Sequence, residues 1–396
     1  MRTLELANEI GPDLVTLRRS LHEVPELGLD LPRTQRLVLD ALAGLDLEIH
    51  LGQQLSSVTA VLRGNGDGPT VLLRGDMDAL PVSEQVDVPY ASKQPGLMQA
   101  CGHDLHVAAL VGAARILDRM RSELHGDVVL MFQPGEEGPG GAEPMLDEGL
   151  LDVAGRPVDA AYALHVASSA DPYGVWGGRP GPMFAACDEL NVRVVGAGGH
   201  GSVPYRAKDP VPVACEMVLA LQGMVTRQFD IFDPVVVTVG TITSGTKENI
   251  IPSYADFAAT VRSFTPEARE RLEAATVRTV QGIAMAHGLG VEASYVRGYP
   301  STVNDPGEYA LAVETITDLF GAERYREWAN PDPGGEDMSY VLQRVPGAYV
   351  MVSACPQGVD ADTAPDNHSP LAAFDDRILP DCAAFLAEMA LRRTSR

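Results

Sequence analysis

Cys101 and His103 stand one residue apart in Cys101-Gly102-His103-Asp104, a spacing that lets a thiolate and an imidazole face one metal ion. Three more stretches add donors: Glu136-Glu137 within Gln133-Pro134-Gly135-Glu136-Glu137-Gly138, His165 closing an apolar run, and His368 in Asn367-His368-Ser369-Pro370. One thiolate, one carboxylate and three imidazoles suffice for two catalytic transition-metal ions that keep open positions for water. Each donor alone has a plainer alternative. Cys101 could be a small buried residue, His103 part of a helix-capping turn with Asp104 as the cap, and His165 a satisfied core histidine. Glu136-Glu137 fits a solvated acidic loop and His368 a solvated histidine; it is their combination that favours a metal centre.

The elements that must position these donors follow from hydrophobic patterning. Val58-Thr59-Ala60-Val61-Leu62 and Thr70-Val71-Leu72-Leu73 are expected strands, the second delivering Gly75-Asp76-Met77-Asp78 at its C-terminal end. A helix is expected from about Asp104 to Leu124, with Val107, Leu110, Val111, Ala114 and Leu117 on its buried side. Asp127 to Phe132 is the next strand, followed by the Glu136-Glu137 loop, and Ala161 to Leu164 is another, ending at His165. Donors past strand ends or at a helix start sit where open α/β sheets bind ligands. Alternating strands and helices predict an α/β architecture whose mostly parallel sheet is flanked by helices.

The middle of the chain has a different rhythm. Between two turn-rich stretches near Gly177 and Arg297 the order is strand (Leu190 to Val195), helix (Pro210 to Phe229) and strands Val235 to Ile242 and Tyr254 to Phe264. A helix (Pro266 to His287) and a strand (Val291 to Val296) complete it. This is the βαββαβ order of a ferredoxin-like domain. The expected organisation is therefore a catalytic domain over 1–183, an inserted domain over 184–297, and the rest of the catalytic domain over 298–396.

Composition narrows the function classes. With 396 residues, 45% of them hydrophobic, the chain is long enough for well-formed cores and too apolar for disorder. A formal net charge of −24 disfavours nucleic acid, which needs clustered Lys and Arg. Cys101, Cys187, Cys215, Cys355 and Cys382 are scattered, odd in number and without a CxxC pair, so neither a disulfide framework nor a zinc ribbon fits. Neither a secretory leader nor an apolar run long enough for a membrane is apparent, and the expectation is a cytoplasmic protein. A nucleotide-dependent oxidoreductase is disfavoured too. No GxGxxG follows an early strand, and Gly64-Asn65-Gly66-Asp67-Gly68 opens no convincing helix.

Five segments occur in order: Arg74-Gly75-Asp76-Met77-Asp78-Ala79-Leu80-Pro81, Ala100-Cys101-Gly102-His103-Asp104, Gln133-Pro134-Gly135-Glu136-Glu137, Gly199-His200-Gly201-Ser202 and Glu248-Asn249-Ile250-Ile251-Pro252. Together with Leu21-His22-Glu23-Val24-Pro25-Glu26 and Asn367-His368-Ser369-Pro370, they make the chain resemble the aminoacylase and carboxypeptidase-G family of two-metal hydrolases. The Cys-Gly-His-Asp and Gln-Pro-x-Glu-Glu forms are those of its branch of hippurate hydrolases, N-acyl-amino-acid amidohydrolases and hydrolases of auxin conjugates. The resemblance implies an inserted domain that acts as lid or dimerisation module, and a homodimer or higher homo-oligomer.

By the same resemblance, Cys101, His103, Glu137, His165 and His368 are the ligands of two divalent ions, with zinc, manganese, cobalt and nickel all compatible with the donor set. Glu136 would be the general base and acid, Asp78 (and less clearly Asp76) would orient a ligand or the base, and His200 would stabilise charge developing on the carbonyl oxygen. Asn249 and Arg262 resemble residues that hold a substrate carboxylate, although strand-end capping by the aspartates and a surface role for Arg262 stay open. Departures from the pattern concern specificity. Ala364-Pro365-Asp366-Asn367 precedes His368 where many relatives have aromatic or histidine neighbours, and Thr243 to Glu248 replaces a more usual His-Gly-Gly-Thr run. Gly334-Gly335-Glu336-Asp337-Met338 resembles a Ser-Glu-Asp-Phe segment; Gly for Ser is expected to loosen that wall, and a helix N-terminus is the alternative. The implied activity is amide hydrolysis of a small N-acyl amino acid. A dipeptidase or carboxypeptidase of the same family and a non-catalytic metal-binding relic are the alternatives.

Overall fold

A computed structural model describes residues 1–395 and divides into two compact units. The first comprises 1–183, 303–330 and 337–396; the second comprises 184–302 and 331–336.

In the first unit, helices α1 (Arg2–His22) and α2 (Pro32–Leu42) precede strands β1 (Glu48–Leu51), β2 (Val58–Leu62) and β3 (Val71–Asp76). Helix α3 (His103–Arg119) leads to β4 (Val128–Gln133) and β5 (Ala160–Ala167). With Gly347–Ser353, Trp176–Gly178 and Tyr325–Glu327 these strands form an eight-stranded mixed sheet, in the order β1-β2-β4-β3-β5 and then those three. Its four central strands, from β4 to Gly347–Ser353, run parallel. Strands β2, β3 and β4 are buried at every position, as expected for a sheet covered on both faces.

Helix α3 is shorter than expected, ending at Arg119 before a 3₁₀ turn at Arg121–Glu123. It is also buried almost all round rather than on one side, because it packs against α1, the C-terminal helix Leu379–Thr394 and β3 together. Its length of buried Val107, Leu110, Val111, Ala114 and Leu117 anchors His103 at its first residue. Replacing one such leucine by alanine costs about 2–5 kcal/mol in comparable cores.

The second unit carries the antiparallel strand order Val235–Ser244, Tyr254–Ser263, Ala186–Val195, Gly290–Arg297. Helices Pro210–Gln228 and Pro266–His287 begin with proline behind a capping side chain, Asp209 accepting from the Val211 amide and Thr265 from that of Ala268. Their apolar faces, with Met217 and Leu272, and alternate strand residues such as Leu190, Val192, Val194 and Phe257 make a separate core. The buried Asp188 staples this unit: Arg269 grips it with two nitrogens at 2.9 and 2.6 Å, while the Tyr295 hydroxyl and the Gly298 amide donate to it.

Candidate active site

Every donor proposed from sequence in the first unit ends at one place. Gly102, in the left-handed region at φ +81, is the N-cap of α3, and a Cβ there would sit 2.4 Å from Val166 Cγ2. This turn, which only glycine fits, aims Cys101 and His103 the same way. Asp104 is not the cap. It lies in the first turn, and its carboxylate meets Arg18 Nε at 2.8 Å and His22 Nδ1 at 2.7 Å.

Cys101 Sγ lies 3.4 Å from His165 Nε2 and 3.3 Å from His368 Nε2, and the latter is 3.0 Å from Glu137 Oε1. His103 Nε2 is 4.0 Å from the same Glu137 oxygen. The donor atoms of Cys101, His103 and His165 form one compact triad, those of Cys101, Glu137 and His368 a second, and those of His103, Glu136 and Glu137 a third. His165 falls inside β5 rather than beyond it, since the strand runs on to Ala167.

Ring orientation is set by backbone carbonyls. His103 Nδ1 donates to the Asp78 carbonyl (2.9 Å) and His165 Nδ1 to the Val166 carbonyl (2.8 Å), which leaves each Nε2 turned inward. His368 adopts φ +70, rare for a side-chain-bearing residue, with its amide donating to the Ala100 carbonyl at 2.8 Å. The Asp78 carboxylate accepts from both the Glu136 and Glu137 amides, at 2.9 and 3.1 Å, and thereby fixes the acidic loop against the His103 carbonyl clamp.

The electrostatics are those of a crowded donor set. Burial opposes ionisation of Cys101, but the charge of His165 and hydrogen bonds with His103, His165 and His368 outweigh it and hold the thiol well below its usual range. Hydrogen bonds to Cys101 and Glu137 raise His368 to about 10. Burial keeps the Glu137 carboxyl above its ordinary value. His103 Nε2 and Glu137 Oε1 are both buried among other donor atoms, the first 3.5 Å from Asp76 and the second 3.0 Å from His368 Nε2, a crowding of polar groups that is costly unless a cation engages them. Donors sharing a tetrahedral cation with bonds of about 2.0–2.3 Å stand roughly 3.3–3.8 Å apart, which the cysteine–histidine separations match. The residues present fit divalent transition metals.

His106, absent from the sequence reading, is not an additional donor despite its closeness to Asp76 and His103. Its Nδ1 donates to Asp76 at 2.5 Å and its Nε2 accepts from the Val166 amide at 2.9 Å, so both nitrogens are used. Burial lowers its pKa to about 4 and keeps it neutral. Arg74 was likewise missed. It is fully buried beneath the site, 2.5 Å from Asp76 and 3.1 Å from Asp337. Asp337 also accepts from Gln133 and from the Gly141 and Ala142 amides, so it serves a neighbouring turn rather than its own helix. An arginine in an otherwise apolar strand was the available signal, since such a charge must be paired. His22 lies between two carboxylates, Asp104 and Glu84 Oε1 at 3.1 Å. Burial opposes its charge, but Asp104 and Glu84 outweigh this and raise its pKa.

In the second unit, His200 is exposed on a short strand paired with Ile250, its Nδ1 accepting from the Ser202 amide at 3.1 Å. Asn249 is adjacent, its carbonyl accepting from the Gly201 amide. Arg262 stands in the four-stranded sheet, where its Nη1 reaches Thr260 Oγ1 at 2.6 Å and the Val261 carbonyl at 3.0 Å. Gly335 does not loosen its surroundings: a Cβ there would come within 2.4 Å of Cys187 Sγ, so glycine permits close packing.

The family model described as Peptidase family M20/M25/M40 matches residues 72–392. The chain belongs to this family, and so to the hydrolases of amide bonds. Among its relatives, "Thermostable carboxypeptidase 2" of Saccharolobus solfataricus is 36% identical over 98% of this chain and 97% of its own. "N-acetylcysteine deacetylase" of Bacillus subtilis is 33% identical over 96% of each. A crystal structure of a Bacillus subtilis protein described as a dinuclear metal binding peptidase of the M20 family superposes with a TM-score of 0.84 and 31% identity, covering 98% of this chain and 99% of that one. Among the described residues no helix is long and apolar enough to cross a membrane.

Proposed function

We propose that this protein hydrolyses the amide bond of N-acyl amino acids, releasing a carboxylic acid and a free amino acid. The observation that carries the reading is the convergence of Cys101, His103, Glu137, His165 and His368 with Glu136 beside them. Those five donors would hold two divalent ions of the zinc, manganese, cobalt or nickel kind, which when bound acidify water and polarise a carbonyl. Glu136 takes the proton of the attacking water and returns it to the leaving nitrogen. Asp78 keeps Glu136 and Glu137 in register by accepting from both their amides. His200 stabilises negative charge on the carbonyl oxygen, while Asn249 and Arg262 hold the free carboxylate of the amino acid.

The deacetylase among the relatives supports an acylated substrate. A homodimer or higher homo-oligomer with the second unit as lid or dimerisation module is part of the reading, as the sequence resemblance implies. Five unpaired cysteines support a cytoplasmic setting, and the net charge of −24 supports a small-molecule substrate over nucleic acid.

The test compares kcat/KM for hippurate, N-acetyl and aromatic-acyl amino acids with their amide-capped analogues and with peptides bearing a free amino terminus. Preference for the acylated, uncapped substrates is expected. Equal rates on capped analogues remove the Asn249–Arg262 clamp, and preference for a free amino terminus or for longer peptides favours the carboxypeptidase or dipeptidase reading, which the Saccharolobus relative supports.

A further inference from the structure

Asn367 precedes His368 and makes contacts that no bystander loop residue needs. Its Nδ2 lies 3.3 Å from the Cys101 carbonyl, 3.7 Å from Cys101 Sγ and 3.0 Å from the Val166 carbonyl. Its Oδ1 accepts from the Ser168 amide at 2.9 Å, and the Ser168 hydroxyl, also 2.9 Å from it, divides its one hydrogen between this oxygen and the Pro365 carbonyl at 2.8 Å. The amide orientation is unambiguous: the Ser168 N–H can only donate and the two carbonyls can only accept. One side chain therefore ties the segment bearing Cys101, the end of the strand bearing His165, and the segment bearing His368. The Ala100 carbonyl, which accepts from the His368 amide, completes the tie.

We propose that Asn367 is a positioning residue for Cys101: one hydrogen of Nδ2 goes to the Val166 carbonyl and the other is shared between the Cys101 carbonyl and Sγ, which fixes the direction of the thiolate and draws electron density from it. The inference rests on the metal-centre reading above and deepens it. A hydrogen bond to a ligating sulfur weakens its electron donation, and groups that orient a ligand without touching the metal set affinity alongside the ligand itself. Removing the amide leaves Cys101 a stronger, less directed donor.

The probe is Co2+ added to metal-free protein, read by the sulfur-to-cobalt charge-transfer band and by competition with a chelator. In Asn367→Ala the band is expected to move to longer wavelength and Co2+ affinity to fall roughly 10–100-fold. Asn367→Asp is isosteric but turns an oxygen without a proton toward Cys101, so it carries the test if the alanine variant loses its fold. Ser168→Ala serves as the control. It leaves the Ser168 amide holding Oδ1, and its band is expected to match the wild type. An unchanged band and affinity in the folded Asn367 variants, a shift as large in Ser168→Ala, or loss of the fold in both Asn367 variants overturns the proposal. A wild-type protein that shows no sulfur-to-cobalt band overturns the metal-centre reading itself, and the Asn367 role with it.

Discussion

The two units place their candidate functional groups in opposite settings. In the first, His103 is fully buried, its ring oriented by the Asp78 carbonyl, and Asp76, Arg74 and Asp337 stack in a paired ladder behind it. In the second, His200 is exposed, on a two-residue strand paired with Ile250 and with its ring braced by Ser202, and Arg262 bonds to its strand neighbours. A donor set that is largely buried, with His368 as its exposed member, suits a permanent cofactor site, where each ligand must keep its direction before the ion arrives. Exposed or half-buried groups at solvent-facing positions suit a partner that comes and goes, such as a substrate.

That contrast breaks or sharpens on substitution. The largest effect is expected for Glu136→Gln, which should lower kcat by about 10²–10⁴-fold with metal content intact, as steady-state kinetics and metal counting would show. Near-normal turnover would return Glu136 to a structural role. Arg74→Met leaves the Asp76 and Asp337 carboxylates buried without their cation, and urea unfolding should register a loss of about 3–5 kcal/mol. His200→Ala should lower kcat by about 10²–10³-fold while metal stays bound, and metal loss in that variant would contradict the division between the units. Asp188→Asn weakens the Arg269 grip, costing about 1–3 kcal/mol in thermal melts with no change in metal affinity. Leu219→Ala, at a side chain 73% exposed, should stay within about 0.5 kcal/mol of the wild type.

The difference between the units also governs how much was legible beforehand. In the second unit the antiparallel sheet has one covered face, so Ala186–Val195 alternates buried and exposed residues and its period marks the strand. Prolines behind Asp209 and Thr265 marked the helix starts. In the first unit α3 is covered on all sides, which erases the 3.6-residue period that distinguishes a buried face, so the pattern runs on to Leu124 where the helix ends at Arg119. The convergent side chains were legible because thiolate, imidazole and carboxylate groups that could hold a cation are chemically distinctive. Their supports were not: beyond the local Arg74–Asp76 pair, Arg74, His106, Asn367 and Asp337 act through partners 30 to 266 residues away, and no spacing rule reaches that far. Asp104 illustrates the limit, since an acid at a helix start suggests a cap, and only Arg18 and His22 arriving from α1 show its carboxylate turned elsewhere.

The central claim is the proposal that the Cys101, His103, Glu137, His165 and His368 donors would hold two cations, with Cys101, whose sulfur stands in two of the donor triads, needed for both. Mass-spectrometric metal counting on wild-type and Cys101→Ala protein, prepared side by side, tests it most directly. Two equivalents of divalent metal per wild-type chain and a loss of both in the variant are the predicted result; fewer than one equivalent in the wild type, or two retained without Cys101, would contradict it.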